Sequence, residues 1–405
     1  MSSERFRIRR IPGAPLVAVR VVFPGGGRRE EIPGQALVTG RMLSEGTARS
    51  DWRAIATDAE ALGMSAAGLS NLEAHGVAVD ALADDWERAL DLAAELALES
   101  TFPEERLRWV ARQAAAELEA QADQADLWTA RAFAELVYAP HPKGRPAQGD
   151  PESLARLDSA LCRGFHEAAR ARGGLVVVAG EIDPERVLAA VERRFASLAP
   201  PADDGFAPPA PPPPGERRRE LRTRARDQAH LFLGHLTVDR LHPDYAPLEL
   251  AAVALGAGAG LSGRIPSRIR DREGLAYHAS ADLVAGASLD SGRLVAYVGT
   301  APENVERAER AAREEIARLA AEGLEERELE DARSYLIGRE PFRRESARQW
   351  ADLAIHGTIL GLPIDDLEWR LASLRAVDRE AVARALRKHV APDALAVTVG
   401  LPAVG

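Results

Sequence analysis

The chain of 405 residues has a single cysteine, Cys162, so neither an intrachain disulfide framework nor a cysteine-built metal site can form. No apolar run approaches the roughly 18 residues that a membrane-spanning helix needs. The opening MSSERFRIRR is polar and basic with no apolar segment behind it; no secretory signal is expected, and the cytoplasm is the expected compartment. Basic residues are in deficit. Lys and Arg number 52 against 62 Asp and Glu, and a net charge of −10 argues against general nucleic-acid binding, which needs a basic face. Histidine spacing is equally restrictive. Of nine histidines, none stands in H-x-x-x-H, H-E-x-x-H or H-x-x-E-H, the spacings that put two imidazoles on one helix face. His230 and His235, five apart in a predicted strand, face opposite ways. Each histidine therefore reads as structural or superficial, and no metal is expected in this chain. There is no G-x-S-x-G elbow, and Cys162 falls in a predicted amphipathic helix as a buried, inert thiol. The glycine-rich GAGAGLSGR at 256–264 lacks the G-K-[ST] ending of a phosphate loop and follows a helix, so it reads as a turn.

What is present is a soluble globular composition, 46% apolar and 28% charged. The stretch PPADDGFAPPAPPPPG at 200–215 reads as a semi-rigid spacer. It divides the chain into an N-terminal domain (1–199), a linker (200–216) and a C-terminal domain (217–405). Element order repeats across it. Strands are expected at 16–23, near 76–79 and at 175–179, with helices over 35–63 (Asp51 and Asp58 as caps, Gly63 as a stop), from Trp86 to Leu96, and at 185–198. The second half repeats the plan with strands at 231–236, 293–298 and 395–399 and helices at 246–255, 261–273 and 304–321. Asp183-Pro184 is a helix cap followed by proline at the first helical position. The reading is a duplicated α+β unit, each copy a mixed sheet with helices packed on one face.

One segment carries a frame without its chemistry. Residues 33–47, PGQALVTGRMLSEGT, have P-G-x-A, five residues, then M-L-x-x-G-T. This closely resembles the signature of the insulinase/pitrilysin-type zinc metallopeptidases, the inverzincins, whose five residues are H-x-x-E-H. The resemblance puts Leu37 and Arg41 at the zinc-binding histidine positions and Gly40 at the position of the general base. All three groups are missing here. Glu117, with Asp123 six residues on, fits the place of the family's third ligand; it is either a remnant or an ordinary helix carboxylate. The stretch at 132–146, AFAELVYAPHPKGRP, is similar to the family's segment ending H-P-Y-G-R-P, with His141 structural and Lys143 in place of the aromatic.

The second half keeps more. Residues 255–277, LGAGAGLSGRIPSRIRDREGLAY, resemble the family's L-G-G-G-x-S-S-R-L, L-R and G-L-x-Y. Arg270 and Tyr277 occupy the positions of the arginine/tyrosine pair that the C-terminal half contributes. Gly274 reads as a C′ glycine between helix and strand, which places Arg270 in a last helical turn and Tyr277 just beyond it. A guanidinium and a phenol there could hold a peptide carbonyl and its developing oxyanion. Singly, Arg270 reads as a surface ion pair and Tyr277 as a half-buried strand aromatic. GREPFRRESARQWA at 338–351 and GLP at 361–363 also look like family segments.

The resemblance implies two homologous domains forming a clam-like half-chamber. It implies a non-zinc subunit that pairs with a homologous subunit carrying H-x-x-E-H, in a heterodimer or larger assembly, with Zn in that partner and peptides as substrates. The alternative is an inert structural or peptide-binding homologue, like the respiratory-complex core subunits of this fold. Neither a nucleic acid nor a membrane is expected as a partner.

Overall fold

The computed structural model of the protein describes residues 5–202, 205–224, 227–258 and 263–403. In chain order the first half forms β1 (Phe6–Arg10), β2 (Leu16–Pro24), α1 (Gln35–Met42), α2 (Trp52–Ala61), β3 (Ser65–Ser70), β4 (Ala74–Leu82) and α3 (Trp86–Leu98). There follow α4 (Glu104–Ala122), α5 (Ala125–Tyr138), α6 (Pro151–Ala155), α7 (Ser159–Ala171), β5 (Leu175–Gly180) and α8 (Pro184–Arg194). The second half forms β6 (Arg217–Arg222), β7 (Ala229–Leu236), α9 (Tyr245–Ala252), α10 (Arg264–Pro266), β8 (Ala276–Ala285) and β9 (Arg293–Thr300). It ends with α11 (Val305–Glu322), α12 (Glu326–Arg339), α13 (Ala347–Leu360), α14 (Leu367–Arg375), α15 (Arg379–His389) and β10 (Ala396–Leu401).

The duplication is explicit in the sheets. One has strand order β1-β5-β2-β4-β3 and the other β6-β10-β7-β9-β8, the same order displaced by five strands. In each, the first pair is parallel and the other three are antiparallel. These are the mixed, mainly antiparallel sheets of an α+β fold.

Burial explains the layers. Along β2, Val17, Val19, Val21 and Phe23 enter one core while Ala18 and Val22 enter another, so both faces of the first sheet are apolar. The larger face is covered by helices including α3 and α8. The opposite face is covered by α13, whose Ala347, Trp350, Ala351, Ala354 and Ile355 form one helical stripe. Ser346 and Gln349 make a capping box at its start, and Gly361 ends it in the left-handed region. Burying the stripe contributes on the order of 1.5–3 kcal/mol for each large side chain. The second sheet repeats this: α9, α11, α12 and α15 build its larger core, and α5 covers the other face with Phe133, Val137 and Tyr138 against Phe232 and Ala396.

The two compact units are therefore not the two halves of the chain. One comprises 1–118, 146–208 and 341–365; the other comprises 119–145, 209–340 and 366–405. This differs from the expected division at 199 and 217. Each half of the chain sends one amphipathic helix to the sheet built by the other half. The 200–216 stretch carries only one of the passages from unit to unit. Smaller differences have local reasons. Asp51 caps α2 by accepting from the Ala54 amide, which leaves Asp58 inside the helix rather than at its start. The helix after Asp183 stops at Arg194. The helix expected over 261–273 begins outside the described residues; from Arg264 it is one short turn continued as a π-helical turn, Ser267–Arg272.

Two histidines are locked inside the first unit. His75 Nε2 lies 3.1 Å from His166 Nδ1, and His166 Nε2 lies 2.9 Å from the Ala97 carbonyl, among the rings of Phe23, Phe102 and Phe165. Burial holds His75 well below the ordinary imidazole value, helped by His166 and Arg172, and burial pushes His166 down to about 4. Below its ordinary pKa the unfolded imidazole binds a proton that the native one refuses. Stability is thus complete above about pH 6.5 and declines as pH falls toward about 4. We expect urea midpoints to fall between pH 7 and pH 5 by the equivalent of roughly 2 kcal/mol from His166 alone, and the slope to flatten in His166→Phe.

Candidate functional site

The first candidate region is α1. Gly34 precedes it in the left-handed region, where a Cβ would meet the Gln148 carbonyl at 2.5 Å, so only glycine fits. Leu37 is partly buried and packs against the first core. Gly40 presses the helix onto β3: a Cβ there would stand 2.6 Å from the Leu69 carbonyl, and one on Gly68 would stand 1.8 Å from the Gly40 carbonyl. Backbone meets backbone at this crossing. Arg41 reaches α4, where Nη1 donates to Glu117 Oε1 at 2.9 Å and Nη2 to Oε2 at 2.8 Å. This is a two-point fork between residues 76 apart in the chain.

These positions do not fit a zinc ion. Leu37 offers no lone pair, and Gly40 offers neither a carboxylate nor room for one. The carboxylate that α4 brings to the motif, Glu117, already holds a fixed cation. Glu117 is thus the paired helix carboxylate rather than a free ligand. Asp123, six residues on, pairs with Arg224 at 2.6 Å.

The second region is the segment from α9 to β8. α9 passes into a π-helical turn, Val253–Ala257, in which Gly256 has φ of 153°. Of the glycine-rich 256–264, residues 259–262 lie outside the described residues. After α10, Arg268 anchors the next turn through Glu273, Glu314 and the buried Glu315. Arg270 sits in that turn, a quarter exposed, with Nε donating to Asp271 at 2.8 Å. Gly274, in the left-handed region as expected, ends it. Tyr277 then stands in β8, the terminal strand of its sheet. Ala276 pairs with Thr300 and His278 with Gly299, so Tyr277 is the extra residue of a bulge. It is 89% exposed. The expectation of a half-buried aromatic is corrected: the bulge turns the ring out of the sheet. Arg270 and Tyr277 share one turn-and-strand segment of the second unit.

Other expectations have structural answers. Cys162 is buried in α7, and burial pushes its thiol up to about 11, which suits an inert core residue. His141 is buried, with Nδ1 accepting from the Lys143 amide. Lys143 donates to the Asp290 and Ser291 carbonyls. Spacing rules missed one cluster: His242, Asp244 and His389 each bring a possible ligand atom within 4.8 Å of the others. Nothing local signals it, because His389 lies 145 residues beyond Asp244. No helix among the described residues is long and apolar enough to cross a membrane.

Two units built on one α+β plan, with a metallopeptidase frame emptied in the first, define a peptidase-like chain. The insulinase family model (peptidase family M16) matches residues 5–150, and the peptidase M16 inactive-domain model matches 175–336. The chain belongs to the M16 peptidase family. It is 27% identical over 338 residues to an uncharacterized zinc protease of Mycobacterium leprae, covering 81% of this chain and 74% of that one. It is 22% identical over 381 residues to a Helicobacter pylori protein named a non-peptidase homolog, covering 93% and 86%. A peptidase M16 inactive domain from Pseudomonas fluorescens superposes with a TM-score of 0.88 at 26% identity, over 100% of this chain and 97% of that one.

Two substitutions at the motif should behave oppositely. Gly40→Ala should destabilise by about 1–3 kcal/mol, because its methyl meets fixed backbone. Arg41→Ala should cost less than about 1 kcal/mol, because the ion pair, 32% and 41% exposed, is screened by solvent. Urea denaturation at pH 7 measures both.

Proposed function

We propose that this chain is the non-zinc subunit of a heteromeric zinc metalloendopeptidase. A homologous partner carrying H-x-x-E-H holds the zinc and the general base. This chain contributes Arg270 and Tyr277, which bind the peptide carbonyl and stabilise the oxyanion that forms on attack. The observation that carries the reading is the position of Tyr277. A tyrosine 89% exposed on a strand bulge adds little to the core, so its ring and hydroxyl are presented to solvent rather than to the fold. In the turn that precedes β8, Arg270 supplies a fixed positive charge. Because β8 ends its sheet, its outer edge offers main-chain groups to an extended peptide laid alongside.

A second reading, a catalytically inert structural or peptide-binding homologue, is favoured by the Helicobacter pylori relative named as a non-peptidase homolog. It accounts for the emptied motif equally well and for the outward tyrosine less well.

Peptidase assays on a mixed fluorogenic peptide pool separate the two. The chain alone should be inactive. With the zinc-bearing homologue, chelator-sensitive cleavage should appear and fall about 100-fold or more in Arg270→Ala or Tyr277→Phe. An inactive mixture, or one indifferent to both substitutions, would leave the inert reading standing.

A further inference from the structure

We propose that His242, Asp244 and His389 form a divalent transition-metal site in the second unit, of the two-imidazole, one-carboxylate type that suits Zn²⁺. It is separate from the family motif and does not depend on the function proposed above. His242 lies in the turn after β7, Asp244 immediately precedes α9, and His389 is the last residue of α15. Asp244 occupies the capping position of α9, yet its carboxylate caps no amide there. It turns instead to the imidazoles: Oδ2 lies 2.7 Å from His389 Nε2 and 3.7 Å from His242 Nδ1. The two rings meet edge to face with centroids 4.8 Å apart.

Ligands around a tetrahedral ion at about 2.0–2.1 Å stand roughly 3.3 Å apart; the two carboxylate–imidazole separations bracket that value, and all three ligand atoms lie within 4.8 Å of one another. Loading the site requires Oδ2 and Nε2 to part by about half an ångström. The ion then takes the place of the Nε2 proton now lying between them, which passes to solvent or to the ring's Nδ1. His242 Nδ1 also accepts from the Asp244 amide at 3.0 Å, and that amide, in a partly exposed turn, can pass to water. Three protein donors leave a fourth position for solvent. The three side chains are 14–28% exposed, sheltered but reachable by an ion from solvent.

A neighbouring cation also opposes the ion. Lys388 Nζ stands 3.4 Å from the same Asp244 oxygen and competes for its charge. That gives the site a signature that a scattered set of surface histidines would not have: removing a lysine should improve metal binding. The ion would join the start of α9 to the end of α15 and so stabilise the native state.

The test is titration of the full chain, freed of metal by chelator, with Zn²⁺ in a competition assay, together with melting curves. We expect one ion per chain and a raised Tm. His242→Gln, Asp244→Asn and His389→Gln should each weaken binding by more than the roughly 10–100-fold that loss of an outer partner costs. Lys388→Gln should tighten it severalfold. X-ray absorption at the zinc edge should show two imidazoles. Far-UV circular dichroism confirms that each variant is folded, and three single-site variants guard against any one failing. Absence of stoichiometric binding, or binding unchanged in the folded His242→Gln and His389→Gln proteins, would overturn the proposal.

Discussion

The structure depends on a sheet that is apolar on both faces. Valine and alanine on β2 and β5 alternate between two cores, so a single helical layer would leave one face in water. The second cover is one amphipathic helix per sheet, and in both units it comes from the other half of the chain. α13 carries its stripe to β2 and β5, and α5 carries Phe133 and Val137 to β7 and β10. Both candidate regions hang on this frame, because α1 and β3 belong to one sheet's surroundings and the bulged β8 belongs to the other.

At α1, the Arg41–Glu117 fork leaves no carboxylate of that pair in need of a metal ion. A histidine-bearing helix with a glutamate nearby needs a cation at its centre; here the cation is covalent. The Arg41 guanidinium takes both oxygens of Glu117, and no ion is required to balance that carboxylate. Gly40 goes further than losing a base, since the helix now rests on β3 through bare backbone. Replacing side chains one at a time at this motif would not recreate a metal site, because a glutamate at residue 40 also needs the strand to move.

Local patterns were legible in the sequence where they are satisfied locally. The valine run of β2, the Asp183-Pro184 start of α8 and Gly274 before β8 lie where short-range rules place them. The emptied frame at 33–47 was legible too, because a motif is read by spacing alone. What escaped was long-range. Amphipathic spacing shows that α5 and α13 have an apolar face but not which sheet receives it, so the compact units differ from a division at the proline-rich stretch. Arg41 and Glu117, and His242, Asp244 and His389, meet only through the fold. The bulge at Tyr277 depends on the register of β9, which nothing within β8 encodes.

On the proposed function the outward ring of Tyr277 meets substrate. A photoreactive residue in its place, Tyr277→p-benzoylphenylalanine, irradiated in the chain together with a labelled peptide and the zinc-bearing homologue, tests that contact. The same probe at Phe342, also exposed, serves as the control. Peptide should be cross-linked at residue 277 well above the control. Equal labelling at both positions would contradict it.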